Sequence, residues 1–465
     1  MSSTDSKVAE NKMGVMPVKK LVINMSLPMM MSMLIQALYN IVDSVFVAKL
    51  SENALTAVSL AFPLQTLCIA IGGGTGVGIN ALLSKSLGEK NMKKVNDTAT
   101  NGAFLYTLSY IAFLILGIIA VKPFYMSQVS GTGAGGEEIY RFGVEYLSIV
   151  MIFSVGIFGQ FYFERLLMST GKTFYSMISQ MSGAVTNLIL DPILIFGLLG
   201  LPKMGVAGAA IATVTGQCVA AIVAFVCNIK YNKEISLKFR GFRPDLKIIA
   251  AIYKVGIPAI IMQSIGSVMV FCMNKILIEF SSTATAVFGV YFKLQSFFFM
   301  PIFGLINGIT PIIAFSYGAG LRKRMIKTVK VSMVIAGTVM MIGMAAFEFI
   351  PEFLLVQLFD ASEDMVNIGV PALRIIGVHF LIAWFCIVIG AVFQALGKAM
   401  FSLIVSVMRQ LVVLVPAAYI LAETGGLNAV WWSFPIAEVM SFVVTTICFM
   451  KVYNQIITKL PEGTE

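Results

Sequence analysis

The residues able to do chemistry stand out because they are polar groups inside long apolar runs. Asp43 lies in Tyr39-Asn-Ile-Val-Asp43, and Asn187 and Asp191 lie in Asn187-Leu-Ile-Leu-Asp191-Pro192. On a helix the last two are spaced i, i+4 and share one face, and Pro192 can open the local backbone. Thr213, in the next apolar run, falls at a matching depth. Two carboxylates, a carboxamide and a hydroxyl at one level make an oxygen-rich cluster. Such a cluster suits either one proton shared between the acids or a hard cation held by oxygens. Gln36, Tyr39 and Asn40 precede Asp43 by one and two turns and are expected to line the same cavity.

These groups need elements to hold them, and composition says of what kind. The chain has 465 residues, 58% of them hydrophobic and 12% charged, with mean hydropathy +0.90. Soluble domains carry about twice that share of charge. Too little polar surface remains to coat a water-soluble body, which excludes a cytosolic enzyme, a nucleic-acid-binding domain and a disordered scaffold. The six cysteines are scattered with no CxxC spacing, so neither zinc nor disulfides are indicated. Residues 1–20 are polar and lack the short apolar core and cleavage site of a signal peptide. The first apolar segment is therefore expected to be retained.

A bilayer core needs about 20 apolar residues per helix. Twelve runs qualify, at about 24–48, 54–84, 97–121, 138–166, 173–198, 205–229, 248–279, 284–317, 326–349, 366–396, 399–422 and 427–452. Helices are the only reasonable spans, because lipid cannot satisfy an open backbone. Of the 33 Lys and Arg, 25 fall on the side of the termini and 4 (Lys49, Lys122, Arg141, Lys203) on the other. The remaining 4 (Lys275, Lys293, Arg374, Arg409) lie within or at the ends of helices. Such a bias predicts that both termini are cytoplasmic.

The second half repeats the first. A shift of 230 maps Pro258 onto Pro28, Gly304 onto Gly74, Gly308 onto Gly78 and Gly318 onto Gly88. A shift of 226 maps Gly369-Val370 onto Gly143-Val144 and Gly397-Lys398 onto Gly171-Lys172. The expected fold is an all-α membrane protein: twelve transmembrane helices in two six-helix lobes related by a pseudo-two-fold axis along the membrane normal. The expected division is an N-tail at 1–20, an N-lobe at 21–229, a linker at 230–247, a C-lobe at 248–452 and a C-tail at 453–465, with tails and linker cytoplasmic. Two such lobes enclose a cleft that rocking can open to either side. The same shifts carry Asp43, Asn187 and Asp191 onto Met273, Val413 and Ala417. The fold does not demand the polar cluster, which favours a functional role for it.

Other embedded polar groups read more modestly. Arg409 and Glu438, near mid-membrane on the eleventh and twelfth helices, are expected to form an ion pair that orients the C-lobe. Lys293 and Gln295 on the eighth helix, with Arg374 and His379 on the tenth, are candidates to face a substrate cavity. A lone histidine can relay protons, although helix packing is the simpler role. Glu164, toward one end of its helix, reads as interfacial. The 29 Met and 35 Phe supply flexible, polarizable surfaces of the kind adaptable binding sites use.

The run Asn187-Leu-Ile-Leu-Asp191-Pro-Ile-Leu-Ile-Phe-Gly197, the segment Tyr39-Asn-Ile-Val-Asp43-Ser-Val-Phe-Val-Ala48 and the stretch Gly205-Val-Ala-Gly-Ala-Ala-Ile-Ala-Thr213 resemble the multidrug and toxic compound extrusion (MATE) transporters. The similarity extends from about residue 20 to 455 and is greatest to the bacterial MepA-like and DinF-like exporters. The resemblance implies an antiporter: a proton or Na+ enters while an amphiphilic, often cationic drug or toxic metabolite leaves. It implies a monomer in the bacterial cytoplasmic (inner) membrane, with small molecules and the lipid bilayer as partners, no nucleic acid, and no cofactor beyond the coupling ion H+ or Na+. Asp43, Asn187 and Asp191 match the family's N-lobe proton or cation site, where Na+ would be the metal held, and Thr213 matches it across a loop of different length. The acidic residue that some sodium-coupled members place on the tenth helix is missing here, where Arg374 and His379 stand instead. Coupling through the N-lobe is therefore expected.

The alternative is a flippase of the same superfamily for lipid or lipid-linked precursors. That activity would need cationic groups in the cleft, for which Lys293 and Arg374 are the only hints. An enzyme is not expected, since the chain has 1 His and no nucleophile motif with a base. A channel would need a selectivity ring, and the sequence offers none.

Overall fold

Continuous apolar stretches in lipid can satisfy their backbone only as helices, and that is what they form. The computed structural model describes residues 11–129, 136–237 and 239–461, and the described elements are all helical. The first half comprises α1 (Lys12–Val15), α2 (Val18–Ala48), α3 (Glu52–Gly88), α4 (Met92–Ile119), α5 (Val121–Val129), α6 (Gly136–Ile152), α7 (Val155–Ser169), α8 (Thr173–Phe196) and α9 (Gly205–Tyr231). The second comprises α10 (Leu246–Ile278), α11 (Ser282–Gly318), α12 (Arg322–Phe349), α13 (Pro351–Phe359), α14 (Glu363–Gly377), α15 (Phe380–Ala395) and α16 (Ala399–Val407). A π-helical turn, Met408–Leu414, then joins α16 to α17 (Val415–Val430), and α18 (Ser433–Gln455) follows.

Among the described residues ten helices are long and apolar enough to span a bilayer, and two bent pairs complete twelve if each is one span: α6–α7, bent by 41°, and α14–α15, bent by 51°. The repeat is carried into three dimensions. α3 and α11 have 37 residues each, and α4 and α12 have 28. Even the starts agree: Ser51 Oγ caps α3 by accepting the Ala54 N–H at 3.0 Å, and Ser281 Oγ caps α11 by accepting the Ala284 N–H at 3.0 Å.

Three details differ from the sequence expectation. α2 begins at Val18, inside what reads as the N-tail, and residues 12–15 form a further turn. The short helices α5 and α13 occupy connections that read as loops. The sharp bends fall at Phe153–Ser154 and Val378–His379, whereas Pro28, Pro63, Pro192 and Pro258 sit inside unbroken helices. Membrane helices tolerate such prolines because neighbouring groups take up the freed carbonyls.

The halves meet along α2 against α11 and α3 against α10. Gly74 and Gly78 bring α3 onto the α10 backbone at Ile260 and Ile252, while Gly304 and Gly308 bring α11 onto α2 at Met30 and Ser26. The end that carries the termini is fastened further by the first described residues. Met13 is fully buried, and Arg324 of α12 donates from Nε to the Met13 carbonyl at 2.8 Å and from Nη2 to the Met16 carbonyl. Asn11 Nδ2 donates to the Thr170 carbonyl at 3.0 Å and to Glu234 Oε1 at 3.2 Å. Glu234 also pairs with Lys172 Nζ at 2.9 Å. One short segment thus bonds to both halves and to the link between them.

Candidate functional site

Three helices of the first half bring the acidic cluster together. α8 carries Asn187 and Asp191 on one face, 3% and 0% exposed. α2 delivers Asp43 within side-chain hydrogen-bond reach of Asp191, while Asp43 Oδ1 is buried with no hydrogen-bond partner of its own. Thr213 arrives from α9. With both ends of its amide satisfied, Asn187 donates from Nδ2 to Asp191 Oδ2 at 3.1 Å and accepts the Thr213 backbone N–H on Oδ1 at 3.1 Å. The hydroxyls of Tyr39 on α2 and Tyr146 on α6 stand in the field of both acids. Gln65 Nε2 of α3 donates to the Tyr146 hydroxyl at 3.1 Å.

Two carboxyls this close repel if both are ionised, and only a proton or a cation between them relieves the repulsion. The donor set is all oxygen apart from one amide nitrogen, which fits H+ or Na+. Among the described residues no group of three or more His, Cys, Asp and Glu is placed to hold a metal.

The cluster borders a cavity of about 190 Å³. Its polar wall includes Gln36, Tyr39, Asn187, Thr213, Gln160 and Gln180, and its apolar wall includes Met29, Met33, Met168 and Phe161. Toward its other end stands Glu164, which reads as interfacial in the sequence but is 4% exposed. Burial of a carboxylate demands partners, and Glu164 has three: Gln160 Nε2 at 3.0 Å, Ser179 Oγ at 3.0 Å and Gln180 Nε2 at 2.8 Å. Ser32 of α2 in turn donates to Gln180. Next to Glu164, Arg165 Nη1 crosses to the second half and donates to Asn307 Oδ1 of α11 at 3.1 Å.

The other sequence candidates are dispersed. The Asn40 side chain lies outside the described residues. Lys293 is exposed and Gln295 partly so. Arg374 is exposed and donates from Nε to the Glu348 carbonyl at 3.2 Å, at the end of α12. His379 is buried at the α14–α15 bend, with Nδ1 on the Ile376 carbonyl. Arg409 Nη1 meets Glu438 Oε2 at 3.4 Å.

Gln65, Tyr146, Gln160 and Gln180 complete the first-half site and are missing from the sequence reading. The i, i+4 spacing of Gln160 and Glu164 was a readable signal; Tyr146 and Gln180 reach the site only through the packing of α6 and α8.

Paired repeats of membrane-spanning helices, with a buried acid cluster beside an internal cavity, define a two-lobed membrane transporter. The chain belongs to the MatE family, the MATE transporters: the family model matches residues 28–193 and 258–420, once in each half. It is 28% identical over 426 residues to the multidrug export protein MepA of Staphylococcus aureus strain MSSA476, covering 91% of each chain. It is 28% identical over 422 residues to the protein of that name from Staphylococcus haemolyticus, covering 90% of each. The fold matches that of a multidrug resistance MATE family transporter in an outward-facing conformation with TM-score 0.89 and 24% identity, covering 97% of this chain and 99% of the other. A transporter of the MOP superfamily from Pyrococcus furiosus, described as having a binding pocket of reversed polarity, aligns with TM-score 0.84 and 26% identity over 98% and 99%.

Proposed function

We propose that this chain exports amphiphilic, mainly cationic small molecules across the bacterial cytoplasmic membrane as a monomer, in exchange for an inward-moving ion. The observation that carries this reading is the meeting of Asp43 and Asp191, from two different helices, with their neighbours Asn187, Thr213 and Tyr39 lining the cavity. Their direct hydrogen-bond approach favours a proton as the coupling ion, since a bound cation would have to separate them. Proton arrival neutralises the pair, lets the outer part of the first half rearrange, and weakens the hold on a cationic drug; the halves then rock inward. The oxygen donor set supports Na+ as a second reading.

The 25 basic residues on the side of the termini support a cytoplasmic placement of that end. With that orientation the glycine seam closes the cytoplasmic side, and the cavity belongs to the outward-facing half of an alternating-access cycle. The flippase reading is not favoured, because Lys293 is exposed and Arg374 is engaged with a helix-end carbonyl rather than a cavity.

Transport of ethidium in proteoliposomes under separately imposed proton and sodium gradients tests the proposal. A proton gradient alone is expected to drive uphill movement, and a sodium gradient alone is not. Movement that ignores both gradients overturns antiport.

A further inference from the structure

The second half has a buried acid of its own that the first-half site does not use. Glu438 on α18 is 3% exposed; Arg409 Nη1 lies 3.4 Å from its Oε2, and its Oε1 is buried without any hydrogen-bond partner. Ser441 and Thr445 follow on the same face of α18, fully buried and with unpartnered hydroxyls. Four other elements close the site. α11 brings the buried Tyr291 hydroxyl, also unpartnered, and α15 brings the Cys386 thiol beside Ser441 and Thr445. His379 faces the acid from the α14–α15 bend, and Arg409 projects from the π-helical turn. The titratable groups around Glu438 are thus Arg409, His379, Tyr291 and Cys386.

A permanent buried ion pair is stable when both carboxylate oxygens are bonded. Glu438 instead offers one long contact and one bare oxygen, on a π turn of the kind that concentrates at functional sites. Its place in the fold is telling as well. A shift of 226 carries Arg409 onto Gly183 and Glu438 onto Ala212, on α8 and α9, the helices that hold Asn187, Asp191 and Thr213. The two repeats therefore each bury an acid between corresponding helices, using different residues.

We propose that Glu438 is a second proton-accepting site, one per lobe. Oε1 takes a proton from water and the carboxylate loses its charge. The Arg409 guanidinium keeps its own protons and is released from its counter-charge. A metal cation is disfavoured as the occupant because the guanidinium already stands there. The assignment of this site to Glu438 does not rest on the reading of Asp43 and Asp191; only its place in a transport cycle does.

Infrared difference spectroscopy of the full chain in lipid nanodiscs, pH 5 minus pH 8, tests this in an Asp43→Asn, Asp191→Asn background that silences the first-half pair. A protonated-carboxyl band is expected to persist in that background and to lose one component in Glu438→Gln. Glu438→Asp is expected to keep that component at a shifted frequency, and Arg409→Lys to keep it as well, which separates loss of the acid from loss of the fold. A difference spectrum unchanged by Glu438→Gln overturns the proposal, as does a component that follows sodium at fixed pH.

Discussion

Gly88 and Gly318 face each other across the seam between the two halves, each pressed on the backbone of the other's helix. A methyl group on Gly88 would overlap the Phe315 carbonyl, and one on Gly318 would overlap the Lys85 carbonyl. The glycines are 230 positions apart, and so are the carbonyls they meet. The contact is therefore self-reciprocal, as at a two-fold interface between separate subunits.

Widening this seam should hold the end of the bundle open. Gly88→Leu and Gly318→Leu are each expected to cut ethidium efflux tenfold or more, about 1.4 kcal/mol, and to speed thiol labelling of a cysteine placed at the buried Ser316 in a cysteine-free background. Gly289→Ala, where a methyl meets nothing within 4 Å, serves as the neutral control. Full efflux in both leucine variants at equal expression would show that the seam need not close.

The paired acids should carry the coupling. Asp43→Asn and Asp191→Asn are each expected to abolish uphill efflux under an imposed gradient. Asn187→Ala, which frees the Asp191 carboxylate from one bond, is expected to reduce it several-fold. The assay is whole-cell ethidium efflux at matched expression; wild-type rates in all three variants sink the assignment.

Much of the fold was legible because lipid leaves few choices. Runs of apolar residues gave the twelve spans, and glycines and prolines at a fixed offset gave the repeat. Asp43, Asn187 and Asp191 could be found since a charge in hydrocarbon has few innocent explanations. Glu164 misled for the same reason in reverse: its place near a helix end suited an interfacial group, and its three amide and hydroxyl partners come from α7 and α8. Arg374 looked embedded by position, yet α14 turns it outward to the end of α12. A one-dimensional pattern records depth along a helix and not the direction in which a helix is rotated.

The bond between Arg165 and Asn307 joins α7 to α11 at the floor of the cavity. Removing either partner is expected to shift the halves toward separation by about 1.5–3 kcal/mol, the range for a hydrogen bond to a charged group. Spin-label distances across the seam in Arg165→Ala, Asn307→Ala and the double variant provide a double-mutant cycle. Strictly additive shifts would mean that the two side chains do not act together.

Lys12 gives a pH signature on the end that carries the termini. Burial, aided by the nearby Lys172, pushes its ammonium down from 10.5 to about 8. The docked segment then binds fewer protons than the undocked one between these values, so docking strengthens as pH rises from about 8 to 10.5 and is insensitive below. Competitive acetylation read by mass spectrometry should place half-reactivity of Lys12 near pH 8. Half-reactivity at about pH 10.4, the value of a free lysine, would contradict a lowered amine.

The dispersed basic residues give a negative prediction. Lys293→Ala and Arg374→Ala are expected to change ethidium efflux by less than about twofold, within the scatter of neutral surface substitutions. A loss of more than tenfold in either would return a cationic cleft, and with it recognition of anionic lipid headgroups, to consideration.

The clasp made by Met13, Met16 and Arg324 also orders the protein's biogenesis. The carbonyls of Met13 and Met16 are made 311 and 308 residues before the guanidinium that satisfies them. The first repeat can insert and pack, and Asn11 can meet Thr170 and Glu234, yet the carbonyls of Met13 and Met16 lack their guanidinium until α12 has been translated. A chain arrested before that point lacks this link, so the clasp closes only on a molecule whose second half has begun to assemble.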